Sequence, residues 1–417
     1  MVATLDIKSS RYVGGLGAIA QAAFRPVDVI MIGDSNQLMD GKGYDWGLSK
    51  ALATRFGLYA SPLYSQDITG GTYTVAGYAS QGIASLSNSA TTGAPAALDD
   101  FRLPMREYAY QASGDMGQFN GVYVSKNAPG LDVTANLRAH YCFGIFASGG
   151  GSFVPAARIE ASPYPTLVTG SAVSCSGGAD SVGYSTLDLT AGARTTDISF
   201  KWRLGGGAAN VAKTAQLWQR VENLDRPAGV SVHSMYAVGG QSLYDMAAAM
   251  LAMTDARIQS YFKSVTRLQR LRGLAPMMVV YINSGFNDRN ENLTPSLGPL
   301  ATGSPTGPLA YIDNLEAIRL KFDAAWVACG YDLANLTYLV VPSHPISSPD
   351  DAQVITYRSI VSRYVAGQRR MSMVDLSTLS DYASMVANGW YRGPSEFIHL
   401  SQAGYEGEGS IIAAQVP

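Results

Sequence analysis

The sequence predicts an α/β protein in which helices flank a parallel sheet on both sides, a three-layer core interrupted by a large inserted β-sandwich. Three observations predict it. Apolar strand-like runs alternate with helical patterns from Pro26 to Ser61 and again after Ala237, the rhythm of parallel strands joined through helical crossovers. From Asp67 to Ser234 the chain is instead rich in Gly, Ser, Thr and Ala. There, short alternating runs are separated by turn clusters such as Ser148-Gly149-Gly150-Gly151 and Gly205-Gly206-Gly207. A length of 417 residues, with no internal repeat, is long for one domain and short for three. The implied division is an N-terminal arm (1–25), a first core segment (26–66), an inserted β-rich domain (67–234) and a second core segment (235–417).

The elements follow in chain order. Lys8 and Arg11 precede the Gly-broken apolar stretch Val13 to Ala23, which faintly resembles an export signal and reads more simply as an ordered arm or a first strand. Val29-Ile30-Met31-Ile32 is an apolar strand running into Gly33-Asp34-Ser35-Asn36, and Gly47 to Phe56 is helical. In the insert, Leu137 to Phe146, Thr196 to Leu204 and Gln216 to Val221 alternate as strands, and Leu217 to Asn223 and Gly229 to Ala237 lead back into the core. Leu243 to Leu271 reads as helix and Met277 to Ile282 as a buried strand. The stretch Leu293 to Leu309, just after Asn287, is a loop that reads equally as a cleft wall or as solvated surface. Tyr311 to Cys329 is an amphipathic helix with Ile312, Leu315, Ile318 and Phe322 on one face. Strand Leu336 to Val341, helix Asp351 to Ala366, strand Met371 to Leu376 and a terminal helix from Ser401 complete the chain.

Composition excludes several classes. Charged residues are only 15%, the formal net charge is -2 and no Lys/Arg run occurs, which argues against nucleic acid or anionic membrane partners. The longest apolar runs fall far short of the roughly 20 residues that cross a bilayer, so no membrane insertion is expected. Cys142, Cys175 and Cys329 are too few and too scattered for a disulfide framework, although one Cys142–Cys175 bridge stays open. No His/Asp/Glu/Cys cluster has metal-ligand spacing and no Gly-x-x-x-x-Gly-Lys phosphate loop occurs, so neither metal nor cofactor is called for.

What remains is serine chemistry. Ser35 follows directly from a buried strand, at the sheet edge where open α/β sheets bind ligands. A serine needs a base to take its proton and donors to hold the oxyanion that forms. Only four histidines are present. His140 and His233 fall within strands of the insert and read as packing or surface residues. His344, in Pro342-Ser343-His344-Pro345 after an apolar strand, is a rival base or a substrate contact. His399, with Glu396 three residues before it and a helix start behind it, is the better base. Asn287 is either an oxyanion donor or a turn former, and Asp34 and Asp288 read as acceptors that brace loops.

These residues resemble the SGNH hydrolase superfamily, the GDSL esterases and lipases, whose four blocks are met in order. Gly33-Asp34-Ser35 resembles the nucleophile block, with the Ser35 backbone N–H also facing the oxyanion. Gly239-Gly240-Gln241-Ser242 resembles the second block, where Gly240 is favoured over Gly239 as the backbone donor. Gly285-Phe286-Asn287-Asp288 resembles the third, whose asparagine amide is the remaining donor, and Glu396-Phe397-Ile398-His399 the last. Glutamate stands where the family usually has aspartate, and the gap from Ser35 to Gly240 is several times the usual one, as an insertion would make it. The resemblance covers roughly residues 26–64 and 236–417. It implies a flavodoxin-like core and an esterase with Ser35, His399 and Glu396 as catalytic residues.

Large β-insertions in that superfamily point to carbohydrate esterases. The expected reaction is therefore removal of O-acetyl groups from a polysaccharide, helped by 24 Tyr and 5 Trp that stack well on sugar rings. The alternative is a glycan-binding or structural module of a bacteriophage tail or virion surface with a weak or vestigial site. A third reading is an esterase for small esters whose insert builds a homo-oligomer interface. The expected setting is extracellular or a virion surface.

Overall fold

The computed structural model describes residues 14–38, 43–63, 73–75, 78–80, 96–101, 103–104, 109–111, 118–119, 122–124, 126, 131–204, 213–285, 287–288, 308–342, 344–345, 352–393 and 396–417. Chain contacts divide it into two compact units. One comprises Met1–Arg55, Val232–Thr254 and Gln269–Pro417; the other comprises Phe56–Ser231 and Asp255–Leu268. Most of the loop read at Leu293 to Leu309 lies outside the described residues.

The first unit is built on a five-stranded sheet. Its strands are β1 (Pro26–Gly33), β2 (Gly229–Ala237), β3 (Met278–Ser284), β4 (Leu336–Pro342) and β5 (Met371–Met373). Their spatial order is β2-β1-β3-β4-β5, the flavodoxin-like doubly wound arrangement. β1 pairs with β3, β3 with β4 and β4 with β5, all parallel. Every residue of β1 and β3 is buried, as in a sheet covered on both faces. This explains why those segments read as unbroken apolar runs rather than as alternating ones. Order reverses at β1, so the crevice for a ligand opens where β1 and β3 end.

Six helices matter here: α1 (Gly15–Ala20), α2 (Tyr44–Phe56), α3 (Leu243–Ala252), α4 (Pro308–Ala328), α5 (Ala352–Ala366) and α6 (Gln402–Ala414). The stretch read as an arm or first strand is thus helical from Gly15. Glycine allows it, because a Cβ at Gly15 would lie 2.7 Å from the Tyr338 carbonyl oxygen and one at Gly14 2.3 Å from that of Met371. The single helix expected from Leu243 to Leu271 is three, because the chain turns extended at Met253 and begins again at Asp255. The strand expected to reach Leu376 ends at Met373, where Asp375 accepts from the Ser377 N–H and caps the turn Leu376–Leu379.

Among the described residues the second unit holds two larger antiparallel sheets and a two-stranded one, Tyr73–Val75 with Tyr78–Ser80. Leu137–Ile145 pairs with Ser181–Leu189 on one side and Thr214–Asn223 on the other. Ser152–Ile159 pairs with Ile198–Leu204. Phe143 meets Phe153 edge-on at 4.8 Å between ring centres, joining the two sheets through their inner faces. Segment boundaries differ from the sequence reading at both ends. The second unit begins at Phe56 rather than residue 67, because Tyr59 N–H donates to Val230 and Ser61 N–H to Val221. It also takes in Asp255–Leu268, since the buried Arg220 donates to the Val265 carbonyl at 2.6 Å and Arg267 lies over the Tyr184 ring at 3.9 Å. Cys142, Cys175 and Cys329 are all free thiols, so the bridge left open between Cys142 and Cys175 is not formed.

In the first unit, α2 and α6 cross with their backbones in contact. A Cβ on Gly47 would lie 1.9 Å from the Tyr405 carbonyl oxygen, and one on Gly409 2.3 Å from that of Gly47. Gly47→Ala should therefore lower unfolding stability by about 1–3 kcal/mol, the usual scale of overpacking. Urea denaturation would check it, and an unchanged midpoint would mean that the helices part at no cost.

Candidate active site

The site begins with a turn packed closely around a glycine. β1 ends at Gly33, where a Cβ would come 2.4 Å from Gln37 Oε1 and 3.2 Å from the Asn283 carbonyl. The chain then turns through Asp34 into the one-turn helix Ser35–Leu38, which holds Ser35 partly open at the sheet edge. Parallel register aligns Gly33 with Asn283, so the segment after β3 emerges beside Ser35.

His399 and Glu396 reach the same edge from a hairpin. Tyr391–Gly393 pairs antiparallel with Glu396–Leu400, with a register shift. Residues three apart in a regular strand point to opposite faces. Here Tyr391 to Gly393 pairs against the longer span Glu396 to Leu400, and that irregularity lets Glu396 and His399 turn toward each other. Glu396 Oε1 is hydrogen-bonded to His399 Nδ1, and His399 Nε2 lies 3.0 Å from Ser35 Oγ. Ser401 then caps α6, accepting from the Gly404 N–H at 3.2 Å, so the helix starts immediately behind the histidine's strand.

The other two blocks converge on the same turn. A Cβ on Gly239 would sit 3.6 Å from Ser35 Cβ, in ordinary contact, whereas one on Gly240 would meet nothing within 4 Å. Gly240 has φ +75°, a left-handed conformation that side chains other than glycine's rarely adopt. Asn287 Nδ2 donates to the Gln241 carbonyl at 2.9 Å and lies 3.4 Å from Asp34 Oδ2. Asp288 is buried and accepts from the Leu243 N–H at 3.0 Å, tying the third block to the start of α3. The structure thus brings Ser35, Asn287, His399, Glu396 and the Gly239–Gly240 turn to one sheet edge. It also gives Asp34 and Asp288 bonds of the bracing kind.

His344 is 3% exposed, and its Nδ1 is hydrogen-bonded to the Tyr44 hydroxyl at 2.8 Å. His140 and His233 are buried as well, paired with Glu222 at 2.9 Å and Asp28 at 3.1 Å. Burial holds the His140 imidazole below its ordinary range. Among the described residues no group of three or more His, Cys, Asp or Glu is placed to hold a metal ion, and no helix is long and apolar enough to cross a membrane.

Behind the serine lies a buried polar layer that sequence reasoning missed. The Tyr405 hydroxyl donates to Asn36 Oδ1 at 2.8 Å, and the Asn36 N–H donates to Asp34 Oδ1 at 2.8 Å. Burial pushes the Asp34 carboxyl up to about 6, against the pull of its Asn36 hydrogen bonds and of nearby His399. Glu408 on α6 is fully buried, accepts from Ser380 Oγ at 2.8 Å and is pushed up to about 8 by desolvation. The nearest sequence signal was the Ser401-Gln402-Ala403-Gly404 helix start, which locates Tyr405 and Glu408 on a helix without naming their partners.

The fold, an α/β unit on a parallel sheet accompanied by antiparallel sheets, is one that solved structures share. A solved structure of a peptidoglycan O-acetylesterase is similar over 98% of this chain and 95% of its own, with a TM-score of 0.54 at 14% identity. Family two carbohydrate esterases are more distant in shape. The one from Clostridium thermocellum, in complex with cellohexaose, covers 73% of this chain and 93% of its own at 12% identity and a TM-score of 0.28. The one from Cellvibrio japonicus covers 74% and 90% at 9% identity and 0.29. A scan against family models and a search of curated proteins match nothing in this chain.

Glu408 sets a pH dependence of stability. Its carboxyl stays neutral in the folded protein up to about pH 8 but ionises near 4.5 once exposed, so the folded state holds the extra proton between those values. This contribution is fully present below 4.5 and lost as pH rises through about 8. Glu408→Gln should flatten the fall in unfolding free energy between pH 5 and 8, by up to about 1.4 kcal/mol per pH unit. Urea titrations of both proteins at several pH values would measure it, and parallel curves would contradict the assignment.

Proposed function

We propose that the protein is a serine esterase that removes O-acetyl groups from a polysaccharide through an acyl-enzyme. The hydrogen-bonded chain Ser35–His399–Glu396 at the switch-point edge of a parallel sheet carries this reading. His399 Nε2 takes the proton of Ser35 as Oγ attacks the acetyl carbonyl. Glu396 holds the ring through Nδ1 and stabilises it when charged. The same histidine gives its proton to the departing sugar oxygen. A water, deprotonated by His399, then attacks the acetyl-serine and releases acetate with Ser35 restored.

The oxyanion would be met by the N–H groups of Ser35 and Gly240 and by Asn287. Asn287 Nδ2 carries two hydrogens. One is held by Gln241, while the 3.4 Å contact to Asp34 is too long to bind the other firmly, which leaves it to turn toward an oxyanion. Glutamate serves in place of aspartate, since Glu396 Oε1 is hydrogen-bonded to His399 Nδ1. The choice of an acetylated glycan draws support from the peptidoglycan O-acetylesterase, whose likeness spans nearly the whole of both chains. A polysaccharide substrate would put the protein at an extracellular or virion surface.

Hydrolysis of p-nitrophenyl acetate, followed by acetate release from acetylated polysaccharides, tests this. Ser35→Ala should abolish turnover, and Asn287→Ala should lower kcat by roughly 10²- to 10³-fold, about 3–4 kcal/mol of transition-state stabilisation. Equal rates for wild type and Ser35→Ala would refute the mechanism. Glycan binding without turnover would favour a binding module.

A further inference from the structure

We propose that the Tyr405 hydroxyl is a positioning group that holds the nucleophile's turn and the base's strand at hydrogen-bonding separation. This rests on the esterase reading for its kinetic consequence and on geometry alone for its structural one. Ser35 and His399 come from opposite ends of the chain, and no covalent or ladder contact between their segments appears among the described residues. Each is followed by a residue bound to the same oxygen. Tyr405 Oη donates to Asn36 Oδ1 at 2.8 Å and accepts from the Leu400 N–H at 3.2 Å. Asn36 is next to Ser35 and Leu400 is next to His399, so one phenol oxygen spans both catalytic positions at one residue's remove.

The bridge is buried at every joint. Asn36, Leu400 and Tyr405 are all at most 2% exposed, so water does not compete for these bonds. The Tyr405 ring lies edge-on to Tyr44 at 5.2 Å between centres, and its backbone abuts Gly47 where α2 and α6 touch. Asn36 is anchored in turn through its own N–H to Asp34. Burial raises the phenol further above its ordinary range, so it remains a donor throughout the pH range of ester hydrolysis. A phenol has one hydrogen to give and lone pairs to accept with, and both capacities are used. Removing the oxygen would free both segments at once and leave the Leu400 N–H buried without this acceptor, so the Ser35–His399 separation would relax.

The test is Tyr405→Phe, which keeps the ring and its packing. With p-nitrophenyl acetate, kcat should fall roughly 10- to 100-fold with little change in KM, the cost of misplacing a reacting pair by a fraction of an ångström to an ångström. Labelling of Ser35 by a fluorophosphonate should slow by the same factor, with rates referred to the fraction of protein folded by thermal melting. Asn36→Ala should give a similar loss, and the double variant no more than the larger single one, because the two residues act through one bond chain. Additive losses, or a kcat and labelling rate within twofold of wild type, would overturn the proposal.

Crystal structures of wild type and Tyr405→Phe give a readout that needs no turnover. The Ser35 Oγ to His399 Nε2 distance should open beyond hydrogen bonding in the variant, and an unchanged separation would overturn the positioning role. Wild-type protein that neither turns over esters nor takes the label would instead defeat the esterase reading, while the distance comparison would still decide the role of Tyr405.

Discussion

The parallel pairing of β1 with β3 is the constraint from which the site follows. Gly33 stands opposite Asn283, and two residues beyond the first lies Ser35 while four beyond the second lies Asn287. A one-residue slip would turn each inward side chain of the buried β1 outward and carry Ser35 away from the third block. Buried polar groups on the strands oppose that slip, because each would lose its partner: Asp28 on β1 is bonded to His233 at 3.1 Å, and Asn283 on β3 donates to the Val341 carbonyl at 3.0 Å. The Gly239–Gly240 turn and the Glu396–Leu400 hairpin are then added around an edge already set.

The layer behind that edge is polar where a fold would ordinarily be apolar. Asp34, Asn36, Tyr44, Tyr405 and Glu408 are all at most 1% exposed. Burying such groups without partners costs several kcal/mol each by transfer estimates, so a layer of this kind persists only where bonds or neutral protonation states offset the cost. Both devices are present. Asn36 and Tyr405 are joined by hydrogen bonds, and Glu408 avoids its charge by holding a proton up to about pH 8. Ser35 and Glu396 stand apart in this respect. Ser35 is partly open and Glu396 retains 40% of its side-chain exposure, while the groups beneath them are buried.

The second unit follows different physics. Its sheets alternate between an aromatic inner face, with Phe143 against Phe153, and outer positions such as Tyr184 and Asp188 that are exposed or bonded to arginine. Arg220, fully buried, satisfies three separate oxygens, those of Ser61, Val265 and Tyr59. A guanidinium can be buried when its rigid fork of donors is matched in this way. Through those bonds Asp255–Leu268 is held by the β-rich unit, although its sequence reads as an uninterrupted extension of a core helix.

The local pattern alone determined the strands of the core, the change to a β-rich middle, and the four blocks with Ser35, Asn287 and His399, since each is written in consecutive residues. Apolar runs, glycine turns and a cap such as Ser401 act within a few residues, and a reader of the chain meets their causes directly. Tertiary structure alone decided the rest. It buried His344 beside Tyr44, shifted the register at the Glu396–Leu400 strand where Glu396 meets His399, and broke the Leu243 to Leu271 helix into three. It also set Tyr405 against Asn36 across almost the whole length of the chain. No periodicity records which hydroxyl a distant amide will meet. That is fixed by how closely two helices can approach, and here by Gly47 and Gly409, whose missing side chains let α2 and α6 touch.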